Sequence, residues 1–503
     1  MFVRKKKNKS NVVSVQVIDK SSGKYKYIKT IGSSTNSDEI EKLVQTGEQW
    51  IKAKMGMVEL DFFQTDNLFD TFFAGITGIH VAGIELLLGK IFDEIGFNLI
   101  EDELFRKLVF ARLFYPLSKL KTSEYLIRYE GYSTTDDKIY RYLDKLHSTQ
   151  KRKVEQISYK HTLKILGNDI QVVFYDVTTL YFEIKDEDEI RKPGFSKDGK
   201  HQNPQIVLGL LVSVGGYPLA YEMYKGNKYE GDTMMPILNV FKRKYKLKDL
   251  VVVADAGLMS NKNIESLELN KYKYILGGRL KNEANEIKKK ILALQLKNGE
   301  SAMVMKNEKT KIIISYSDSR AKKDKHNRDK GILKLEKQIK SNKLTKSHIN
   351  NKGYNRYLKL EGEVKIRLDK SKVQQDSKWD GLKGFATNTS FSKEEIIENY
   401  GYLWKIEKAF RVAKSDLLIR PIYHRLQHRI EAHICIAFVA YKVYKELERQ
   451  LKNMKSDMSP EKAIDIAKSI YRITAQKPIT KEIISRILCN TEEQQKLAKM
   501  FNF

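Results

Sequence analysis

Residues 171–183 read QVVFYDVTTLYFE, and this stretch decides how the rest of the chain is interpreted. It is apolar and β-branched, which predicts a buried strand. One acid, Asp176, lies in its middle. Because an unpaired buried carboxylate costs free energy, the acid indicates either a cation held at a sheet edge or a structural Asp near the strand end. The segments that follow favour the cation.

The order of the predicted elements after this strand indicates the fold. They are strands at 205–215 and 217–224, a helix at 231–245, a strand at 250–256, a helix at 261–269 and a strand at 272–278. Helical crossovers require the strands that they join to pair in parallel. This is the order of the ribonuclease H-like fold, in which the first and fourth strands lie side by side. Asp176 and Asp255, one on each of those strands, are therefore predicted to lie close together.

A third carboxylate comes from a long helix predicted to start near residue 392. Tyr400, Glu407 and Lys414 are spaced by seven residues, so they share one face of that helix. Glu407 laid against the sheet edge would complete a site with the two aspartates. Three carboxylates suit two divalent metals, of which one activates the attacking hydroxyl and the other stabilises the leaving oxygen. Tyr400 and Lys414 are expected to hold the scissile phosphate.

Together these segments resemble the DDE transposases of bacterial insertion sequences, in the branch that carries a Tyr–Arg–Glu–Lys signature. The matching motifs are FYDVTTLYFE, VVVADAGLMSNKN and the segment GFSKDGKHQNPQIVLGLLVSVGGYPLAYEMYKGN between them. Tyr400, Glu407 and Lys414 match three signature positions, and Leu403 stands where the family has arginine. Position 403 is expected on the helix side that faces the bound strand. The resemblance covers about residues 172–444.

The resemblance implies metal-dependent DNA hydrolysis followed by strand transfer at one site. Asp176, Asp255 and Glu407 would be both the catalytic residues and the ligands of two Mg²⁺ ions, for which Mn²⁺ can substitute. Either Lys405 or Arg411 would replace the missing arginine. The predicted DNA-binding residues are Tyr400, Lys414, Arg411 and Lys405.

The charge of the chain indicates a polyanionic partner. Lysine and arginine number 92 against 63 acidic residues, which gives a formal net charge of +29. Such an excess favours nucleic acid, because each neutralised phosphate releases counterions. We expect double-stranded DNA as partner, both element ends and target, with a dimer in the complex with the ends. No amphipathic or lipidation signal favours a membrane, and a cytoplasmic, nucleoid-associated bacterial protein is expected.

The predicted architecture is α/β, with a ribonuclease H-like core, a strand-rich insertion and mainly helical terminal regions. Residues 59–165 are predicted to be helical, either as a helix-turn-helix reader of DNA ends or as an ordinary bundle with a solvated basic face. The five predicted regions are 1–58 (hairpin and helix), 59–165 (candidate end-binding region), 166–280 with 385–450 (catalytic core), 281–384 (basic insertion) and 451–503 (C-terminal helices).

The favoured function is a transposase that binds the ends of its insertion sequence, cleaves the DNA and joins the 3′ ends to target DNA. One alternative is a transposase-derived DNA-binding protein without catalysis, which Leu403 favours and the intact carboxylates disfavour. The other is a ribonuclease H-like nuclease that never joins strands. His424 and His428 have a zinc-ligand spacing, but the basic residues around them favour a packed or DNA-facing helix.

Overall fold

The computed structural model describes all residues except 22, 56–64, 185, 197–198, 259, 342, 362–364, 416, 418, 420–421 and 478–479. By its contacts the chain divides into two compact units. The first unit comprises residues 1–78 and 473–486, and the second comprises residues 79–472 and 487–503. The five regions predicted from the sequence have other boundaries, and they stay a prediction.

The first unit contains the predicted hairpin and several strands that the sequence did not reveal. Its elements along the chain are β1 (Phe2–Lys7), β2 (Val13–Asp19), β3 (Lys26–Ser34), α1 (Ser37–Lys54), α2 (Thr65–Ala74) and the first part of β4 (Ile76–Val81). The first three strands form an antiparallel sheet in the order β1-β2-β3. Val15 and Val17 of β2 are fully buried, because alternate residues of a strand point to the same face.

The second unit begins with helices that share a core with the catalytic region. They are α3 (Lys90–Ile95), α4 (Glu103–Phe114), α5 (Lys119–Glu130) and α6 (Asp136–Ile165). The helix α6 is thirty residues long. It packs along the long helix near the C-terminus, and α4 is buried over nearly its whole length. These helices therefore belong to one hydrophobic core with the sheet and the C-terminal helices.

The central sheet confirms the ribonuclease H-like topology. Its elements are β5 (Val172–Tyr181), β6 (Gln205–Ser213), β7 (Pro218–Lys225), α7 (Met234–Tyr245), β8 (Val251–Ala254), α8 (Asn261–Leu269) and β9 (Lys273–Gly278). The strand order is β7-β6-β5-β8-β9, with β5, β8 and β9 parallel and β6 antiparallel to its neighbours. The sheet is packed on both faces, since separate cores lie on either side.

The insertion extends this same sheet. It contains α9 (Asn285–Leu292), β10 (Ser301–Met305), β11 (Lys311–Tyr316), α10 (Asp318–Lys340), β12 (Leu358–Glu361), β13 (Lys365–Leu368), α11 (Lys370–Ser377) and β14 (Leu382–Thr387). The full order is β10-β11-β14-β9-β8-β5-β6-β7. Antiparallel pairing of β14 with β9 therefore places the insertion one strand away from β8, the strand that Asp255 follows.

The C-terminal part of the chain contains α12 (Lys393–Gly401), α13 (Leu403–Ser415), α14 (Gln427–Asn453), α15 (Pro460–Ala467), β15 (Tyr471–Gln476), β16 (Ile483–Leu488) and α16 (Glu492–Phe501). Here β15 and β16 form a sheet with β4 in the order β16-β15-β4. The region 451–503, which the sequence predicts to be helical, therefore contains strands as well as helices. The predicted capping box is present, because Ser392 and Glu395 each accept the other's backbone N–H. No helix in the described part of the chain is long and apolar enough to cross a membrane.

Candidate active site

Asp176 and Asp255 lie at the same level of the sheet. In the parallel register of β5 and β8, Tyr175 is opposite Ala254. The next residue on each chain is an aspartate, and neighbouring strands lie about 4.8 Å apart. Asp176 is half-buried and Asp255, just past the end of β8, is exposed. The two acids are thus adjacent at one edge, as the element order predicts.

Backbone donors orient both carboxylates. The Oδ1 atom of Asp255 accepts the N–H groups of Gly257 and Leu258, at 2.9 and 3.2 Å. These bonds belong to the tight turn that follows β8. The Oδ1 atom of Asp176 accepts its own neighbour's N–H, from Val177 at 2.8 Å. Such hydrogen bonds fix the direction of a short side chain, so the side chain loses little further conformational entropy when it binds a ligand.

Glu407 reaches this edge from α13, which packs against β5. The helix buries Ile406, Ala409 and Phe410 on its inner side and leaves Glu407 exposed. This is the amphipathic division expected of a helix lying on a sheet. The core contacts of α13 therefore hold Glu407 at the rim and out of the core.

The Tyr400 hydroxyl lies within electrostatic reach of all three carboxylates. Burial, followed by the negative charges of Asp255, Glu407 and Asp176, raises the pKa of Tyr400 to about 12. The hydroxyl also lies directly over Gly277, where an added Cβ would stand 2.5 Å from it. Gly277 follows Leu276, which pairs with Ala254, so it is the neighbour of Asp255 across the sheet. The hydroxyl therefore sits at the aspartate edge.

Two cations of the insertion, Lys383 and Arg320, lie near Tyr400, and neither was predicted from the sequence. The ammonium of Lys383, on β14, is 4.6 Å from the centroid of the Tyr400 ring. Burial and then the charge of Arg320 lower the pKa of Lys383, while Glu407 opposes them. Arg320 lies in the first turn of α10. The position of Lys383 depends on the pairing of β14 with β9, which no local pattern of the sequence indicates.

The predicted DNA-binding cations are distributed around α13. Arg411 is exposed and Lys414 half-buried, one and two turns beyond Glu407. Lys405 is elsewhere, with its ammonium 4.0 Å from the centroid of the Tyr402 ring. Burial and then Lys445 of α14 lower the pKa of Lys405. The structure thus brings Tyr400 to the carboxylates and directs Lys405 toward α14.

Position 403 corrects the expectation that this residue faces bound DNA. The helix that was predicted to be continuous ends at Gly401, and a new one begins at Leu403. The stripe through Tyr400 and Glu407 is therefore interrupted at Tyr402. Leu403 is only 7% exposed and belongs to the main core. A leucine is the residue type that such an environment favours.

The three carboxylates fit divalent metals in ligand type. Carboxylate oxygens are the ligands preferred by Mg²⁺ and Mn²⁺. The negative charges of these carboxylates raise the pKa of Tyr400, and a bound cation would neutralise them. Among the described residues, no three His, Cys, Asp or Glu side chains are grouped closely enough to hold an ion as placed. Metal binding at Asp176, Asp255 and Glu407 therefore stays a prediction, which rests on the ligand type of these side chains.

The histidines are packed among protein groups, as the sequence favours. His428 lies 2.8 Å from Asp144, which also binds Arg429. His424 and His433 are buried, with ring centroids 5.3 Å apart.

Comparison with known proteins gives a family match and distant structural likenesses. The model of the family described as "Transposase DDE domain" matches residues 167–442, more than half of the chain. No curated protein matches. A piggyBac transposase synaptic complex with hairpin DNA is 8% identical, covers 77% of this chain and 78% of its own, and has a TM-score of 0.39. A Mos1 transposase paired-end complex is 14% identical and covers 36% and 57%, with a TM-score of 0.16.

Proposed function

The chain belongs to the transposase DDE domain family, and we propose that it binds the ends of its own insertion sequence, cleaves the DNA there by two-metal hydrolysis and joins the freed 3′ ends to target DNA. One observation carries this proposal. Asp176 and Asp255 occupy neighbouring positions on adjacent parallel strands at one edge of the ribonuclease H-like sheet, and α13, which carries Glu407, packs against β5.

The three carboxylates are the residues that would hold the metals. When bound, Mg²⁺ or Mn²⁺ supplies the positive charge that activates an attacking hydroxyl and stabilises a leaving oxygen. Asp176 and Asp255 are directed by backbone N–H groups, so they provide oxygen ligands without further ordering. Glu407 adds the third negative charge from a helix that its own core contacts anchor.

Tyr400 and the neighbouring cations would position the phosphodiester. With a pKa of about 12, Tyr400 keeps its proton at neutral pH. Its hydroxyl can therefore donate a hydrogen bond to a phosphate oxygen, and it adds no negative charge. Lys383 and Arg320 supply positive charge on the same side. Donors held in place before the reaction stabilise the charge that develops on the transferring phosphoryl group.

The proposed reaction has two phosphoryl transfers. In the first, a water oxygen bonds to phosphorus and the bond to the 3′ oxygen breaks, which leaves a 3′-hydroxyl and a 5′-phosphate. In the second, that 3′-hydroxyl attacks a target phosphodiester, whose own 3′ oxygen departs. Both steps use the same carboxylates. Because an element has two ends, we propose that two chains act together, one at each end.

The alternative of a DNA-binding protein without catalysis loses its main support. The departure at position 403 was the feature that favoured it. Leu403 is buried in the core, so its identity reflects packing in this chain. It does not record the loss of a phosphate contact.

A reaction with the native DNA ends tests the proposal. The substrate is DNA that carries the terminal inverted repeats flanking the gene, incubated with the purified protein and Mg²⁺. Cleavage at the repeat boundary and joining to a second plasmid is the expected result. Cleavage without any joined product would favour the nuclease, and binding without cleavage would favour the DNA-binding alternative.

A further inference from the structure

A cavity of about 420 Å³ lies away from the carboxylates, between α4, the start of α5 and the segment that leads into α14. Its inner wall includes Arg112, Lys119, His424 and His433, each at most 8% exposed. Its opening is marked by Tyr423, which is 77% exposed. The cavity is thus open to solvent at one side and basic at its floor.

Backbone carbonyls are hydrogen-bond partners for some of the basic side chains in this wall. The Nη1 atom of Arg112 donates to the carbonyl of Leu417 at 3.4 Å. The Nε2 atom of His433 lies 3.2 Å from the carbonyl of Ile419. Lys119 differs, since within the described part of the chain its ammonium has no hydrogen-bond or ion-pair partner. A buried cation without a partner is costly.

Positive charge dominates the electrostatics of the described residues in this wall. Burial and then Arg112 lower the pKa of Lys119 well below its ordinary value. Burial, then Lys119, Arg112 and Arg429, lower the pKa of His424 to about 3, with Asp144 opposing. That aspartate is held by a two-pronged contact with Arg429, at 2.6 and 2.9 Å. None of the described residues that line the cavity is acidic.

The start of α5 adds a second feature that favours an anion. The helix is twelve residues long, and its N-cap Ser118 lines the cavity beside Lys119. The Ser118 hydroxyl accepts the N–H of Lys121 at 3.2 Å. The remaining N–H groups of a first helical turn have no partner within the helix and carry a partial positive charge.

We propose that this cavity is a binding site for a phosphate group. A phosphate oxygen would give Lys119 the partner that it lacks, and the guanidinium of Arg112 and the first turn of α5 offer further donors. The volume exceeds that of a bare phosphate ion, so there is room for an attached sugar or for water. The source is therefore either the DNA backbone or free phosphate. The site does not depend on the proposed DNA chemistry.

The site also bears on the helix that carries Glu407. Leu417, whose carbonyl binds Arg112, follows the end of α13 by two residues. A phosphate bound to Arg112 would therefore be linked to the end of α13 through the hydrogen bond between Arg112 and Leu417.

Thermal unfolding with inorganic phosphate tests the proposal, with chloride at equal ionic strength as reference. Phosphate should raise the melting temperature of the wild-type protein, and Lys119→Met should lower the phosphate affinity at least about tenfold. Without phosphate, Lys119→Met should melt at or above the wild-type temperature, because it removes an unpaired buried ammonium. Lys119→Arg should keep the response. Lys499→Met, at an exposed lysine of α16, is the matched control.

Duplex binding at fixed salt then identifies the source. If it is the DNA backbone, Lys119→Met loses more affinity than Lys499→Met, and phosphate competes with DNA better than chloride does. If it is free phosphate, the two variants bind DNA alike while the thermal response is still lost. The proposal is overturned if phosphate stabilises the wild type no more than chloride, or stabilises Lys119→Met equally.

Discussion

Replacing Leu403 by arginine restores the family's signature in the sequence but places a charge in the core of this chain. Leu403 opens α13 and is 7% exposed, beside Ile406, which is 1% exposed. The sequence pattern alone predicts that Leu403→Arg improves contact with DNA. The structure predicts that it unfolds the protein more readily.

The expected magnitude follows from two losses. Removing a buried leucine forfeits about 1.5–3 kcal/mol of apolar burial. Placing a guanidinium without a partner in its position adds a desolvation cost of several kcal/mol. Partial escape of the long side chain to solvent reduces this sum, so we expect Leu403→Arg to cost about 3–5 kcal/mol. Leu403→Met, which nearly conserves volume, should cost less than about 1.5 kcal/mol.

Urea unfolding followed by circular dichroism measures this difference. For Leu403→Arg, the urea concentration at the unfolding midpoint should be well below that for Leu403→Met. The dependence of the unfolding free energy on urea should be the same in both variants, so that the difference in midpoint measures stability. A Leu403→Arg protein that is as stable as the wild type and cleaves DNA faster would refute the reasoning. Position 403 would then face the substrate as the sequence pattern predicts.

Further predictions concern the site edge, the neighbouring cation, a buried lysine and the net charge. Gly277→Ala should destabilise by about 1–3 kcal/mol, because its Cβ would stand 2.5 Å from the Tyr400 hydroxyl; in a double-mutant cycle the cost should shrink in the Tyr400→Phe background, and an equal cost would contradict the contact. Lys383→Met should slow cleavage of cognate DNA by about 10–100-fold while leaving the fold intact, and an unchanged rate in pre-assembled complexes would remove Lys383 from the site. Burial lowers the pKa of Lys442 from 10.5 to about 7, so between those pH values the unfolded chain binds a proton that the folded chain does not. Stability should therefore rise with pH over that window, and Lys442→Met should flatten the rise in urea unfolding at pH 7 and pH 9; an identical slope in both proteins would argue against it. With a net charge of +29, duplex affinity should fall with salt at a log–log slope of several units, and a slope near zero would assign the basic excess elsewhere.

The fold of the central sheet could be predicted because its signals are local. Apolar, β-branched runs mark β5, β6 and β8, and helical crossovers fix the parallel pairing. The capping box at Ser392 is equally local and is present in the structure. The sequence pattern predicted the conformation of those residues whose conformation is determined by their neighbours in the sequence.

The strands that were missed depend on distant partners. In the sheet order β16-β15-β4, Ile76–Val81 lies next to Tyr471–Gln476, almost four hundred residues later. β1 is FVRKKK, whose basic residues read as a solvated terminus. Such pairing depends on tertiary context that a window of sequence does not contain.

The candidate site divides in the same way. Strand order predicts that the two aspartates lie side by side, and the register of β5 and β8 agrees. Glu407 was predicted from helix spacing, and the role of all three carboxylates stays a prediction. Lys383 could not be predicted, because its place depends on the pairing of β14 with β9 across the insertion. The orientation of position 403 depended on one unbroken helix, and Gly401 was the local signal that this helix ends.

The central claim is that Asp176, Asp255 and Glu407 carry the chemistry, and the most direct test is cleavage by Asp176→Asn, Asp255→Asn and Glu407→Gln. These changes keep the shape of each side chain and remove its charge. The account predicts that each variant binds a cognate DNA end nearly as well as the wild type but gives no cleavage in Mg²⁺, since several kcal/mol of transition-state stabilisation are lost. An Asp176→Asn protein that still nicks the cognate end in Mg²⁺ would contradict the claim.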